Sequence, residues 1–429
     1  MRCLSKNNFS KPNVETIKTA ILGLQHTFTM FGSVVLIPKL LGLNISVAIF
    51  MAGLETLIFH ILTKKKVPIF LGSSFEFIPP LMAASAIYGM EYALGGVVIC
   101  GVIYLVAAVL ICFLGAEKII NMFPPVITGS ISIAVGLVLS SYAIEMASSN
   151  WFIAILAFSI VAFINVYCKG FIKLLPIVIG LAISYIVATI ITVTGIAPLV
   201  DFSLIREAAW FGIPKFTLAK FNLGATILIL PYTICAIVDH FGDIAVAGVV
   251  CNKNFLKEPG IHRTLLGDGI ATSISAMFGG PPNATYSENI GVLAVTRNFN
   301  PKTLRIAAVF ALFLGFIPKL SAFITTIPDG IIGGISIILF GTISSMGINQ
   351  FVENKVDFKL PRNFIIVAVI LVLSIGGASI AFSIKTVKFV IEGIGLAAIV
   401  GILLNVILPG AKNHSFENRE EEKGEIHEI

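Results

Sequence analysis

Charge is what this chain has least of: Asp, Glu, Lys and Arg together make up 12% of its 429 residues, where a soluble domain holds roughly 25%. Two tryptophans and six histidines are scattered along it. The six cysteines, mostly inside apolar runs, suggest neither a disulfide framework nor a zinc site. The N-terminus carries basic residues but no short apolar core with a small-residue cleavage site, so no signal peptide is read there. What fills the space is apolar: 57% of residues, for a mean hydropathy of +0.98. Such a chain belongs in a bilayer.

At about 20 residues per crossing, the length allows on the order of fourteen spans with short loops and no room for a soluble domain. The apolar runs place them near 16–36, 43–62, 68–87, 92–115, 122–144, 151–168, 174–196, 223–242, 264–280, 282–297, 303–323, 327–348, 363–382 and 388–408. With the N-terminus in the cytoplasm, about 22 of the 29 Lys and Arg residues fall on the inner side, as the positive-inside rule requires. Shifting the count by one span scrambles that asymmetry. The net charge of +6 therefore reports membrane orientation and not nucleic-acid binding. Both termini are expected in the cytoplasm, and the charged tail from 409 to 429 is expected to be disordered.

The chain also repeats itself. At an offset of 204, Pro124, Ile127, Gly129, Ile131, Ser132 and Ile133 match Pro328, Ile331, Gly333, Ile335, Ser336 and Ile337. Seven spans per half is an odd number, so the halves run in opposite directions across the membrane. The expected fold class is thus an all-α polytopic membrane protein of two inverted seven-span repeats. Two of the spans, the third and the tenth, are too broken to be ordinary helices. In the tenth, Pro281, Pro282 and Asn283 lead into the polar run Thr285 to Asn289 before the apolar turn begins. In the third, Gly72, Ser73 and Ser74 interrupt an apolar run between Pro68 and Pro79-Pro80. An offset of 212 places Phe75 on Ser287 and Glu76 on Glu288. Non-helical backbone at membrane depth is tolerated only where protein or a wet cavity supplies partners. Two such half-spans can pair as short antiparallel strands, with helix N-termini behind them offering free amides.

Acids at these breaks cost roughly 2.5 to 3.5 kcal/mol each to insert, so each needs a return. Asp239 and Asp243, at the end of the eighth span, are four apart and share a helix face. Lone acids such as Glu55 and Asp268 read as helix caps or interhelical pairs. Acids gathered at two symmetry-related breaks, Glu288 with Asp239 and Asp243, read as a site. Glu76 either enters that site or pairs with a neighbour such as His26. Gln25 and His26 serve either a direct role or as hydrogen-bonding glue between helices. Tyr286 and Phe75 are either core aromatics or a surface on which a flat ligand stacks.

Several strings here resemble one family. Glu288-Asn289-Ile290-Gly291, with Thr296-Arg297 after four more residues, is similar to the signature of the nucleobase:cation symporter-2 family, also called nucleobase/ascorbate transporters. Gln25-His26 resembles its first-span motif and GSSFEFIPP, with Ser73 and Ser74, its third span. TYSENIGVLAVTR is most similar to the family's uracil-transporting members, and the similarity runs from about residue 12 to 408, including Trp210-Phe211 and Pro214. The resemblance implies a core domain (1–115 and 223–324), a gate domain (116–222 and 325–408), and a substrate held between them with proton coupling. Carried over by position, Glu288 and Asp239 hold a pyrimidine ring, and the backbone N–H groups of Phe75 and Ser287 meet its carbonyls. Uracil offers two N–H donors and two carbonyls, matching carboxylates and strand amides respectively.

Four positions depart from that pattern. Asp239 stands where the family usually has Glu, Asp243 where its uracil members have His, Ser287 where they have Gly, and Glu76 where a small residue is usual. Protonation of Asp239 or Asp243, carboxylates sharing a low-dielectric space, is the expected coupling step. One co-transported proton supplies about 1.4 kcal/mol per pH unit and roughly 2.3 kcal/mol per 100 mV. The expected function is proton-coupled import of uracil across the cytoplasmic membrane, without catalysis, cofactor, metal or nucleic acid, by a chain that can form a homodimer. A xanthine or other purine permease on the same scaffold is the alternative. An anion transporter of sulfate-permease type shares the inverted plan but commonly ends in a soluble domain. An intramembrane enzyme holding a metal on Asp239 and Asp243 lacks any further acidic motif.

Overall fold

The computed structural model describes residues 14–115, 124–170, 172–384 and 387–409. Apart from Pro409, the expected tail lies outside the described residues, as do the side chain of Ser287 and those of residues 382–389. Most of the chain is helical. Seven described helices are long and apolar enough to cross a membrane, and an eighth crossing is counted if Pro301–Gly315 and Pro318–Thr325, bent by 82°, form one span. Four shorter apolar helices, Ile78–Tyr88, Trp151–Tyr167, Pro361–Ile375 and Gly393–Ile407, accompany them.

Local chemistry sets where these helices start. Asn44, Asn150, Asn222 and Asn300 each cap one by accepting from a first-turn amide. Pro176, Pro301, Pro318 and Pro361 stand at the first turn of others, where a missing N–H costs nothing. Two helices begin just after the matched prolines, Pro125–Ser148 after Pro124 and Asp329–Glu353 after Pro328. They pack antiparallel: Gly129 faces Gly347 and Phe351, Gly136 faces Phe340 and Ser344, and Gly333 faces Met146 and Ala147. A side chain at any of these glycines would meet the opposing helix, so the small residues set how closely the two backbones approach.

Two segments differ from the sequence reading. The expected eighth span, 223–242, is a short helix Leu223–Ile229 followed at Pro231 by Tyr232–Cys251, which runs nine residues further than expected. Proline lacks the donor that would join the two pieces. The expected 388–408 span starts with a strand instead: Ser379–Ile384 and Val387–Glu392 pair as an antiparallel hairpin, and the helix begins only at Gly393. The all-α expectation is corrected here. The signal was present as the alternation SIAFSI and VKFVIE, a period of two that a count of apolar residues cannot see.

At one end of the molecule the Val14–Leu41 helix is tied to the Asp329–Glu353 helix. Lys39 Nζ lies 3.5 Å from Asp329 Oδ1, donates to the carbonyl of Thr325 at 3.4 Å and also donates to that of Ile327. Twenty-four residues after Asp329 the same helix ends at Glu353, roughly 36 Å away at 1.5 Å per residue.

Candidate functional site

The two broken segments meet as a minimal sheet. Strand β1, Leu71–Ser73, runs antiparallel to strand β2, Asn283–Thr285, with Leu71 opposite Thr285, Gly72 opposite Ala284 and Ser73 opposite Asn283. The register is centred on Gly72 and Ala284, two positions that the offset of 212 makes equivalent. Tyr286 N–H extends the ladder to the Phe70 carbonyl at 3.1 Å, and Ser74 N–H to that of Pro282 at 2.9 Å. Gly72 has a steric reason: a Cβ there would come within 2.5 Å of the Tyr286 ring. That ring is held by its own hydroxyl, which donates to the Ser73 carbonyl at 3.1 Å.

After the strands the chain turns into helices again, Ile78–Tyr88 and Ser287–Thr296. Ser287 opens its helix, so its amide is one of the first-turn donors without an intrahelical partner. The Phe75 amide, in the turn before the other helix, has no acceptor among the described residues. These two N–H groups stand just beyond the C-terminal ends of β1 and β2.

Carboxyl groups share a cavity with Phe75. A cavity of about 1140 Å³ is lined by Ser73, Phe75, Glu76, Asp239, Asp243, Thr285, Tyr286 and Glu288. Three of the four acids are oriented by hydroxyls. Thr285 donates to Asp243 Oδ2 at 2.6 Å, Ser33 to Glu288 Oε1 at 3.4 Å, and Ser74 to Glu76 Oε2. Phe75 sets its ring edge-on to Phe340 of the Asp329–Glu353 helix, with centroids 6.0 Å apart, so the broken third span touches the helix pair across the cavity. From this polar centre the cavity extends past Thr128 to Gln350, Glu353, Arg362 and Asn405, the end remote from Lys39.

The remaining sequence candidates separate from the cavity. Gln25 and His26 are buried but do not line it; the Gln25 amide nitrogen and both His26 ring nitrogens lack hydrogen-bond partners among the described residues. His26 is therefore not the partner of Glu76, which bonds to Ser74. Asn289 is fully buried beside the site, its side-chain amide without a partner among the described residues. Thr296 donates to the Val292 carbonyl at 2.7 Å, and Arg297 ends the helix in a left-handed turn with φ of 50°. Gly291 faces open space. Asp268 is an interhelical pair: its Oδ2 lies 2.9 Å from His240 Nδ1, while His240 Nε2 meets Thr264 Oγ1 at 3.0 Å. Glu55 lies within hydrogen-bonding reach of Ser275. Sequence reasoning missed Thr285 and Ser33, the donors that aim two of the acids, and Thr56, whose hydroxyl accepts from Leu71 N–H at 2.9 Å and serves the outer edge of β1.

Comparison with known proteins places this geometry among relatives. A permease-family model (Xan_ur_permease) matches residues 17–382. A probable uracil permease of Pasteurella multocida is 39% identical, the match covering 93% of this chain and 96% of that protein. The uracil permease of Bacillus subtilis is 38% identical over 93% and 94% of the two chains, and that of Escherichia coli 34% identical over 91% of each. Among solved structures, the transmembrane domain of the cyanobacterial bicarbonate transporter BicA superposes with a TM-score of 0.62 at 15% identity, covering 91% of this chain and 98% of that one. SLC26A9 gives 0.67 at 10% identity, covering 91% and 65%. At such identities the likeness is one of fold alone.

Proposed function

This multi-pass membrane protein belongs to the permease family, and from that premise we propose that it imports uracil together with protons across the cytoplasmic membrane. The observation that carries the reading is the meeting, in one cavity, of acceptor carboxyls with Phe75, whose backbone N–H at the end of β1 has no acceptor among the described residues. Uracil alternates N–H and C=O around its edge. Asp239 and Glu288 accept from the N–H groups, and the Phe75 and Ser287 amides donate to the carbonyls. Phe75 and Tyr286 flank the ring. Relatives named as uracil permeases, at 34–39% identity along most of the chain, support the same substrate.

Fourteen spans in two inverted halves, with both termini cytoplasmic, belong to this proposal. Helix occurs in each of the fourteen apolar segments, and the antiparallel packing of the two proline-led helices and the symmetric register of β1 and β2 support the inversion. In that orientation the mouth at Arg362 and Asn405 faces the cytoplasm, and the Lys39 contacts close the outer side. The core and gate division follows, with Phe75 on Phe340 as one of the contacts between them.

The test is uptake of labelled uracil into proteoliposomes holding only this protein, under imposed pH gradients and with unlabelled thymine, xanthine or hypoxanthine as competitors. Accumulation that pyrimidines reduce and purines do not is the expected result. Purine uptake without uracil uptake would overturn the substrate, and gradient-independent equilibration would overturn the coupling.

Between the two aspartates, geometry favours Asp239 as the proton-bearing group, because Asp243 already accepts from Thr285. Asp243→Asn keeps an oxygen for that hydroxyl and is expected to leave gradient-driven accumulation within about fivefold, since a surviving neutral hydrogen bond changes stability by only ~1 kcal/mol. Asp239→Asn is expected to lose it. The opposite ranking in the same proteoliposome assay would move the proton to Asp243.

A further inference from the structure

Ahead of the Leu223–Ile229 helix, residues 209–222 cross the molecule as a non-helical strap with the sequence AWFGIPKFTLAKFN. One side of it is tied to the ends of four helices, Met90–Leu114, Ile261–Met277, Pro301–Gly315 and Pro318–Thr325. Lys220 N–H donates to the Glu91 carbonyl at 3.0 Å, Ala219 to Met277 at 3.0 Å, Thr217 to Phe278 at 3.3 Å and Gly212 to Phe316 at 3.1 Å, while Lys319 N–H donates to Ala209 at 3.1 Å. The fit is close. A Cβ on Gly95 would lie 1.9 Å from the Lys220 carbonyl oxygen, and one on Gly279 2.8 Å from that of Thr217. The Pro318–Thr325 helix takes the strap at its first turn and Lys39 at its last residue, so both contacts belong to one end of the molecule. The other side of the strap faces outward. Trp210, Phe211, Ile213, Leu218 and Phe221 are between 54% and 81% exposed, and none of their backbone N–H groups has an acceptor among the described residues. No single solvent suits both properties. Hydrocarbon penalises the unpaired amides, and bulk water expels the large apolar side chains. The headgroup layer accommodates them together, because water and phosphate reach the backbone while the side chains enter the upper part of the lipid tails. Charge agrees: 209–222 holds two lysines and no acid. Lys220 pairs with Glu91 at 2.5 Å, and the Lys319 ammonium lies 4.6 Å above the Trp210 ring. Lys215 is exposed and has no ion-pair partner among the described residues.

We propose that 209–222 is a phospholipid-binding strap lying in the headgroup layer of the membrane. Its five exposed apolar side chains seat among the glycerol groups and upper tails, and Lys215 takes a lipid phosphate. Because its inner side is bonded to four helix ends, the strap sets the depth at which those ends are held in the bilayer. One of the four helices leads directly into β2. In the orientation proposed above the leaflet is the outer one, but the lipid contact itself depends on neither that orientation nor the identity of the substrate.

The chain's two tryptophans, Trp151 and Trp210, make the test direct. Trp151→Phe leaves Trp210 as the only indole in the full-length protein, which is reconstituted into phosphatidylcholine vesicles carrying bromine either high on the acyl chain or near its end. Trp210 emission is expected to fall with the high bromine and to be spared by the deep bromine and by aqueous iodide. Strongest quenching by the deep bromine places the strap in hydrocarbon and overturns the proposal. Quenching by iodide alone places it in water and overturns it too. Shielding from lipid and iodide alike means that a protein surface, a second copy or another chain, covers the strap, and that also overturns it. Should Trp151→Phe fail to fold, the difference between wild type and Trp210→Phe supplies the same reading. With the high bromine carried on phosphatidylglycerol instead, Lys215 is expected to enrich the anionic lipid at the strap roughly fivefold over phosphatidylcholine, and Lys215→Glu to abolish that excess. Equal quenching by the two lipids in the wild type would remove the lysine–phosphate contact.

Discussion

Replacing Glu288 by Gln is expected to weaken uracil binding roughly 10- to 150-fold, because a hydrogen bond to a charged acceptor contributes about 1.5–3 kcal/mol, and to bring uptake down to background. The carboxylate enters the cavity from the first turn of the Ser287–Thr296 helix, where the positive dipole end favours it, and Ser33 holds one of its oxygens. Gln retains the shape and one acceptor oxygen but presents an N–H where the ligand also has one. Titration calorimetry on the purified variant reads the loss directly. Ser33→Ala, which only releases the carboxylate from its tether, is expected to cost a few-fold by the same measurement, consistent with ~1 kcal/mol for one hydrogen bond. Wild-type affinity in Glu288→Gln would remove this residue from the site.

Gly72→Ala is the second large effect. Its Cβ would lie 2.5 Å from two atoms of the Tyr286 ring, and the ring cannot swing away without giving up the hydroxyl's bond to Ser73. Overpacking of this kind costs about 1–3 kcal/mol, and here it falls on the pair at the centre of the strand register. A tenfold or greater loss of uracil affinity is expected, together with a lower unfolding temperature. Gly341→Ala is the control, since nothing lies within 4 Å of the added carbon. Tyr286→Ala makes room for the new methyl, so the double variant is expected to be less impaired than the sum of the two single changes. Strict additivity would mean that the two residues do not press on one another.

The paired breaks were legible because prolines and polar runs inside apolar stretches exclude a plain helix, and the repeat offset then named the partner. Antiparallel pairing of 71–73 with 283–285 follows from those two facts alone. Thr285 and Ser33 were not legible: each is an ordinary hydroxyl whose role depends on a carboxylate 42 or 255 residues away. The same limit applied to Glu76, where the alternatives were the site or His26 and the structure puts it on the cavity wall, bonded to Ser74. Gln25 and His26 carried a motif-like signal, yet a motif does not state on which side of its helix the cavity lies. The 379–392 hairpin was misread because an apolar strand and an apolar helix contribute equally to hydropathy, and only the alternation distinguishes them.

The pairing of β1 with β2 also sets an order of events during synthesis. One edge of β1 finds partners within its own neighbourhood, where Thr56 serves Leu71 and His60 meets the Ile69 carbonyl at 3.0 Å. The other edge waits for a strand on the order of 200 residues later, which at 5–20 residues per second is about 10 to 40 s of translation. During that interval a row of polar backbone groups sits unpaired at membrane depth, where each costs several kcal/mol. A nascent chain stopped before residue 283 therefore carries an open edge that any extended segment nearby can occupy. Insertion machinery or lipid-excluded water has to shield it until the second half arrives, and the binding site comes into being only then, in a single late step.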